Sequence, residues 1–151
     1  MDIGVISDIH RRLPQAALDA FAGCTHIICA GDVQDARLLW ELEAVAPVIA
    51  VRGNCDTGAE WNHLARLSAH PTLGGVHFFV VHRPEDIGVP APEVQVVIHG
   101  HTHVPRNQVI DGVRYLNPGS ASAPRHGSHA SVLRLTVADG ALQAIRFIDL
   151  D

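Results

Sequence analysis

The chain has 151 residues, of which 47% are apolar, 18% are charged and only 5% are aromatic. This size fits one domain over residues 1–151, which can bury a core without disulfides or a structural metal. The net charge is −5 and the basic residues are eleven arginines, which argues against binding to extended nucleic acid. No apolar run approaches the roughly 18 residues of a membrane span. Because the N-terminus also lacks a signal-peptide pattern, we expect a cytoplasmic protein.

The first half of the chain alternates short apolar runs with helical patterns. Strands are predicted at residues 3–6, 26–30 and 48–51. Helices are predicted at residues 15–22, between the N-cap Asp35 and Pro47, and at residues 57–69. Strands separated by helices of this length favour right-handed β-α-β units and a parallel sheet that is covered by helices.

The second half of the chain consists mainly of predicted strands. Two of them are the apolar runs 76–81 and 94–98, which flank a polar, proline-containing loop at residues 84–92. Two hairpins are predicted around Asp-Gly turns, with strands at 109–110 and 113–116 and at 131–137 and 141–147. We therefore expect two packed sheets, the first of which is partly parallel.

Five of the predicted strands are each followed by residues that can bind a metal ion. These residues are Asp8 and His10, Asp32 and Asp35, Asn54 and Asp56, His82, and finally His99, His101 and His103. In open α/β sheets, ligands bind beyond the carboxyl ends of the strands, so these five ends are expected to meet in one crevice.

Each of these motifs also has an ordinary structural interpretation when it is taken alone. The pairs Gly31-Asp32 and Gly53-Asn54 are common in turns, and His82 after an apolar run fits a buried structural histidine. Their joint occurrence at strand ends favours a metal site over five separate coincidences. The three cysteines match neither a paired zinc motif nor a disulfide framework, and we expect free thiols.

In this order, the motifs resemble those of the calcineurin-like metallophosphoesterase superfamily. They read Asp8-x-His10, Gly31-Asp32-x-x-Asp35, Gly53-Asn54-x-Asp56, His82 and Gly100-His101-x-His103. Together with the segment Asn117-Pro118-Gly119-Ser120, they are most similar to a compact bacterial and archaeal phosphodiesterase branch with YfcE-like and Vps29-like members. The resemblance implies an α/β fold, namely a four-layer α/β/β/α sandwich with two mixed sheets, and a centre with two metal ions.

The resemblance also implies how the ligands divide between the two metal ions. It places Asp8, His10 and His103 on one metal and Asn54, His82 and His101 on the other, with Asp32 as the bridge. A carboxylate can link two cations about 3.5 to 4 Å apart, which agrees with the role given to Asp32. Mixed imidazole and oxygen ligands favour Mn²⁺, Fe²⁺, Zn²⁺, Co²⁺ or Ni²⁺ over Ca²⁺, and among these we expect Mn²⁺.

The implied enzyme is a dinuclear metal-dependent phosphodiesterase that hydrolyses small phosphoesters or nucleotides by in-line attack of a metal-bridging hydroxide. Its catalytic residues are Asp32, Asn54 and His101. The side chains expected to bind the substrate phosphate are those of Asn54, Arg11, Arg52 and Arg83, with Arg12 as a further candidate.

The sequence departs from the usual family pattern at two positions. Cys55 stands where phosphatase relatives usually carry a histidine that protonates the leaving group, so we expect a preference for phosphodiesters or activated esters. A covalent role for Cys55 is disfavoured because no neighbouring residue in the sequence supplies an activating base. The segment His82-Arg83-Pro84 replaces a common His-Gly-His, which predicts a different loop beside the substrate.

Other functions are compatible with the same fold. One is a protein-interaction scaffold of the Vps29 type, in which catalysis has lapsed, although this chain lacks none of the metal ligands. Within the enzyme class, a phosphomonoesterase or a nuclease remains an alternative. An isologous homodimer is the most common assembly for a soluble domain of this kind.

Overall fold

The computed structural model describes residues 1–151 and contains eleven strands and three short helices. The strands are β1 (Asp2–Ile6), β2 (His26–Cys29), β3 (Val48–Ala50), β4 (Ser68–Ala69), β5 (Thr72–Leu73), β6 (Val76–Val81), β7 (Val96–Ile98), β8 (Arg106–Ile110), β9 (Val113–Asn117), β10 (Ser131–Ala138) and β11 (Ala141–Asp149). The helices are α1 (Gln15–Ala20), α2 (Arg37–Glu43) and α3 (Trp61–Leu64), and a 3-10 turn spans Pro84–Asp86. None of the helices has the length and apolar character needed to cross a membrane.

The strands form two mixed sheets. The first has the order β11-β10-β1-β2-β3, in which β1, β2 and β3 are parallel and β10 and β11 are antiparallel. The second has the order β4-β6-β7-β9-β8, with β5 also paired to β6, and its parallel strands are β6, β7 and β9. The predicted mixed α/β class with two mixed sheets is therefore confirmed.

A core of fifteen buried apolar residues lies between the two sheets. Ile3 and Val5 of β1 face this core, and Phe78 and Val80 of β6 face it from the other side. In β10, alternate residues of the strand also enter it, as expected for a strand with one apolar face.

The three helices cover the outer face of the first sheet and form a second core of fourteen buried residues. Phe21 and Trp61 are its largest side chains, and they pack with Ile6 and Ile27 of the sheet. Gly4 of β1 lies directly under the Phe21 ring, where a Cβ atom would come within 2.5 Å of the ring. The absence of a side chain at Gly4 thus allows this helical layer to approach the sheet.

The outer face of the second sheet carries much less helix. Phe79 and Val81 point to this face, opposite the inward residues of the same strand, and they line a cleft together with Asp86 of the 3-10 turn. The outermost layer of the implied four-layer sandwich is therefore reduced to one short turn.

The predicted helix at residues 57–69 is wrong over most of its length. Only Trp61–Leu64 is helical, because Ala65 has an extended backbone and Ser68 and Ala69 pair with β6. Strands β4 and β5 were not predicted because two residues are too few to show an alternating pattern. The helix predicted from residue 15 ends at Ala20 and the second begins at Arg37, so these helices are shorter than expected.

Both predicted Asp-Gly hairpins are confirmed. Asp111 and Gly112 have φ values of 50° and 79°, and Asp139 and Gly140 have values of 52° and 74°. Two consecutive residues with positive φ are typical of the type I′ turn, whose twist matches that of the paired strands. The strands extend beyond the predicted ranges, and β10 and β11 pair over eight positions with an irregularity after Thr136.

Candidate metal centre

The predicted ligands lie on loops that follow the parallel strands of both sheets. Asp8 and His10 follow β1 and Asp32 follows β2, while His82 follows β6 and His101 follows β7. Backbone hydrogen bonds join these loops, including 2.9 Å bonds from the N–H of Asp8 to the carbonyl of Gly31 and from the N–H of His10 to the carbonyl of Asp32. Because the two sheets pack face to face, these strand ends share one edge of the sandwich.

The first group of potential ligands contains Asp8, His10 and His103. Asp8 Oδ1 lies 3.6 Å from His10 Nε2 and 3.2 Å from His103 Nε2. The two Nε2 atoms are themselves only 3.1 Å apart. This is the set that the sequence assigned to one metal ion.

The second group contains Asp32, His82 and His101. Asp32 Oδ2 lies 3.1 Å from His82 Nε2, and the rings of His82 and His101 meet edge to face with centroids 5.2 Å apart. Asn54 joins this group because its Oδ1 lies 3.1 Å from His101 Nδ1. The structure therefore also brings together the residues predicted for the other metal ion.

The carboxylate of Asp32 lies between the two groups. Its Oδ2 is 3.1 Å from Nε2 of His82 and 3.7 Å from Nε2 of His10. Its Oδ1 accepts a hydrogen bond of 2.8 Å from the backbone N–H of Cys55, which fixes the orientation of the group. A carboxylate that faces both sets of ligands suits a bridge between two cations.

Hydrogen bonds at Nδ1 determine which ring nitrogens are available to a metal. His10 Nδ1 donates to Gln34 Oε1 at 2.6 Å, and His82 Nδ1 donates to the Ala30 carbonyl at 2.7 Å. His103 Nδ1 donates to the backbone carbonyl of residue 123 at 2.6 Å. Since a neutral imidazole carries one proton, each Nε2 then presents a lone pair to the centre of the site.

These contacts fit a bound cation. Asp8 Oδ1 and His82 Nε2 are buried and have no hydrogen-bond partner. Buried polar atoms are rarely left unpaired, and carboxylate oxygens and imidazole nitrogens are good ligands for divalent transition metals. The donor set on both sides of Asp32 thus agrees with the metals that the family resemblance implies.

Charge around the site shifts the pKa values of its members. Burial alone would raise the pKa of Asp8, but the neighbouring imidazoles of His10 and His103 bring it well below its usual range. Asp8 in turn raises the pKa of His10. Burial opposes the charged form of His82, yet the neighbouring Asp32 raises the pKa of this histidine overall. The charge of the two carboxylates therefore favours the protonated forms of His10 and His82.

Five of the predicted ligands have a backbone conformation that is uncommon for residues with a side chain. Their φ values are 53° at Asp8, 45° at His10, 56° at Asp32, 73° at His101 and 61° at His103. Only a few per cent of non-glycine residues have positive φ, although Asp and His are enriched among them. This conformation turns the chain sharply after each strand, so that side chains close in sequence reach one crevice.

Asp56 organises the backbone around Asp32. Its Oδ2 accepts hydrogen bonds from the N–H groups of Asp32 and Gly53 at 3.0 and 2.8 Å, and its Oδ1 accepts one from Gln34 at 2.7 Å. A Cβ atom at Gly53 would overlap the carboxylate and backbone nitrogen of Asp32. Asp56 is therefore a positioning residue, and Gly53 supplies the space that Asp32 needs.

The segment after β9 supports the site from the opposite side. Asn117 Nδ2 donates to the Gly100 carbonyl at 3.1 Å, and Ser120 Oγ donates to the Asp8 carbonyl at 2.7 Å. Ser7 Oγ donates to Asp8 Oδ2 at 2.7 Å, and the N–H of His101 donates to the same oxygen at 3.0 Å. These bonds hold the backbone of the Gly-His-x-His motif against Asp8.

Two contributors were not singled out from the sequence. Gln34 orients His10, and its position two residues after Asp32 in the same ligand-bearing loop is the feature that could have indicated it. Ser7 orients Asp8, but a serine at a strand end carries no comparable pattern. The roles of such a hydroxyl group or side-chain amide can be identified only from the contacts that it makes in the folded structure.

Other candidates lie outside the two ligand groups. His99 is buried and turned away, with its Nε2 bonded to Arg106 at 3.1 Å. Asp35 is paired with Arg37 at the surface, where its carboxylate also accepts the backbone N–H of Arg37 at 3.1 Å. The Gly-His-x-His motif therefore contributes only its own two histidines to the site.

The three arginines proposed to bind phosphate are not equivalent in position. Arg52 and Arg83 line one cleft together with Asn54 and His82. Arg11 lines a different cleft with Arg12, on the side of the first ligand group. Arg52 and Arg83 therefore share one cleft, and Arg11 lies in another.

Comparisons with known proteins agree with this geometry. They identify the chain as a metallophosphoesterase, a hydrolase that acts on phosphoesters. A model of the calcineurin-like phosphoesterase superfamily domain matches residues 1–140, and the chain belongs to this superfamily.

The chain is also similar to individual members of the superfamily. It is 36% identical, over 92% of its length and 77% of the relative, to a probable metallophosphoesterase of Methanocaldococcus jannaschii. It is 32% identical, over 87% of its length and 85% of the relative, to the phosphodiesterase YfcE of Escherichia coli.

Solved structures show the same fold. An archaeal phosphodiesterase superposes with a TM-score of 0.82 and 25% identity, covering 99% of both chains. Vps29 of Chaetomium thermophilum superposes with a TM-score of 0.77, covering 98% of this chain and 95% of its own. Since Vps29 is only 17% identical, this second likeness concerns the fold alone.

We expect Asp32→Asn to be the most damaging single substitution in the site. The amide keeps the size of the side chain but removes the negative charge that faces both ligand groups. Elemental analysis should show a loss of bound Mn²⁺ from about two ions per chain to one or none, and hydrolysis should fall at least ~100-fold. The matched control is Asp35→Asn at the surface carboxylate. Equal metal content in the two variants would contradict the bridging role.

Metal binding should weaken as the pH falls, because protons and cations compete for the same Nε2 atoms. The raised pKa values of His10 and His82 mean that protonation stabilises the metal-free fold. This stabilisation is fully present below about pH 6.5, the pKa of a histidine in the unfolded chain. It is lost as the pH rises through the higher pKa values that the two histidines have in the folded protein.

The shift in melting temperature caused by Mn²⁺ should therefore grow from about pH 6 to about pH 8, and hydrolysis should fade below about pH 6. Thermal unfolding with and without Mn²⁺ across this range measures the effect. A shift that stays constant with pH would exclude these histidines as ligands.

Proposed function

We propose that this protein is a dinuclear metal-dependent phosphodiesterase that acts on small phosphoesters, with Mn²⁺ as its preferred metal. The observation that carries the proposal is the position of Asp32, whose Oδ2 lies between His10 and His82. A single carboxylate that faces two groups of potential metal ligands has no evident structural purpose, since the fold already has two apolar cores.

The residues of the centre have two proposed roles, which are to coordinate the metal ions and to bind the substrate. Asp8, His10 and His103 would hold one ion, and His82, His101 and Asn54 would hold the other, with Asp32 shared. Two bound cations supply Lewis acidity, which lowers the pKa of water toward about 7 and offsets the charge of a phosphoryl group.

Asn54 has a second role in this proposal. Its Oδ1 faces His101, while its Nδ2 has only a weak 3.5 Å contact with the sulfur of Cys55. The amide protons are thus available to donate to a phosphoryl oxygen at the mouth of the site. Arg83 provides a further cation in the adjoining cleft, and we assign to it attraction of the anionic substrate.

The environment of Cys55 supports a phosphodiesterase rather than a monoesterase. Burial and the negative charge of Asp32 raise the pKa of Cys55, so its thiol is a weak acid that is poorly suited to protonate an alkoxide. The same shift disfavours a thiolate nucleophile. Substrates whose leaving groups need little protonation should therefore react best.

A protein-interaction scaffold is the second candidate, and it is compatible with the fold that the chain shares with Vps29. Two features weigh against this function as the principal one. Every ligand of the predicted set is present, and a network of buried hydrogen bonds through Asp56, Ser7 and Ser120 holds the ligands in place. A docking surface would not require this arrangement.

Chelator-treated protein should lose hydrolysis of aryl methyl phosphodiesters and should recover it on addition of Mn²⁺. Across a series of such esters, the rate should fall steeply as the pKa of the leaving phenol rises, because Cys55 cannot supply the proton. Cys55→Ala should change the rate by less than about threefold.

Three results would contradict this account. Full activity after chelation would exclude the metal mechanism, and a flat dependence on leaving-group pKa would show that a general acid is present. A loss of about 10³-fold or more in Cys55→Ala would instead indicate covalent catalysis.

A further inference from the structure

A cleft of about 480 Å³ adjoins the second group of metal ligands, and the mechanism above does not account for its shape. Asn54 and His82 belong to its lining, so it opens directly onto the metal centre. Its apolar lining residues are Leu67, Phe79 and Val81. A phosphate group held by cations and by the Asn54 amide would leave this apolar wall unused.

Leu67 is unusual because it is 73% exposed although the backbone on both sides of it is fixed. On one side of it, the Arg66 carbonyl accepts a 2.7 Å hydrogen bond from the N–H of Arg52. On the other side, Ser68 pairs with Val81 in the second sheet. The backbone on both sides is thus fixed to β-structure, and the exposed leucine keeps its place in the cleft wall.

Phe79 forms another part of the wall and is also fixed. Its ring packs against that of His70 with centroids 4.9 Å apart and an interplanar angle of 42°. It belongs to β6, and its neighbours Phe78 and Val80 are buried in the core between the sheets. The backbone of the cleft wall and the Phe79 ring are therefore preformed, which reduces the ordering needed when a ligand binds.

The rim of the cleft carries polar groups with free hydrogen-bonding capacity. Arg83 Nε donates to Asp86 Oδ2 at 3.1 Å, and its two Nη atoms bond to no protein atom. Arg52, in contrast, is held by the Asp56 carbonyl at 2.9 Å and by the Asn62 side chain. An apolar wall with a few polar groups at its edge is typical of the pockets of about 300 to 1,000 Å³ that bind small organic ligands.

We propose that this cleft binds one ester group of the substrate and selects phosphodiesters in which that group is aromatic. The inference rests on the proposed function, because it takes the metal centre as the site of the phosphoryl group. A flat ring can lie against Leu67 and Phe79 while its phosphate reaches Asn54. The free Nη groups of Arg83 can bond to polar atoms at the edge of a heteroaromatic ring, as in a nucleoside.

The test compares phenylphosphonate with methylphosphonate, two probes that share the anionic group and resist hydrolysis. Calorimetric titration of the Mn²⁺-loaded protein should show phenylphosphonate binding about tenfold more tightly, as expected if roughly 60 Å² of ring surface is buried. Leu67→Ala should reduce this preference to about threefold or less. Since Leu67 is largely exposed, this variant is expected to fold.

Val109→Ala is the matched control, because Val109 is 53% exposed and lies outside the cleft. It should keep the tenfold preference. Equal binding of both probes to the unmodified protein, or an unchanged preference in Leu67→Ala, would overturn the assignment of the cleft while leaving the phosphodiesterase proposal intact. Failure of both probes to bind would overturn the proposed function as well.

Discussion

The candidate site depends on imidazole nitrogens whose lone pairs face two neighbouring carboxylates. His10, His82 and His103 each donate Nδ1–H to a fixed oxygen, which directs their Nε2 lone pairs toward the carboxylates of Asp8 and Asp32. Two of these nitrogens lie 3.1 Å apart, a distance at which lone pairs repel unless a positive charge stands between them. Protons can supply that charge in part, and divalent cations can supply it fully.

The rest of the fold allows this concentration of donors to exist. The ligands come from two different sheets, and the apolar core between the sheets fixes the distance between their loops. Asp56 fixes the backbone around Asp32, because both of its carboxylate oxygens accept hydrogen bonds from backbone N–H groups there. Rigid strands thus carry short, sharply turned loops, which is the usual way in which a scaffold preorganises a reactive site.

The sequence predicted which side chains lie close together better than it predicted the secondary structure. The ligands could be found because they follow strands, and strand ends of parallel sheets meet at one edge. The helix predicted at residues 57–69 failed because local periodicity does not reveal that Ser68 and Ala69 pair with β6. Gln34 and Ser7 were missed for a similar reason, since their roles exist only through contacts with His10 and Asp8. The place of Leu67 in the cleft wall could not be predicted either, because it depends on the pairing of the neighbouring Ser68 with Val81.

The central claim is that Asp32 joins two cations. A crystal structure of the Mn²⁺-loaded protein, with anomalous scattering measured at the manganese edge, tests it most directly. The account predicts two anomalous peaks about 3.5 to 4 Å apart, each within about 2.2 Å of an Asp32 carboxylate oxygen. A single peak, or two peaks of which one does not contact Asp32, would contradict it.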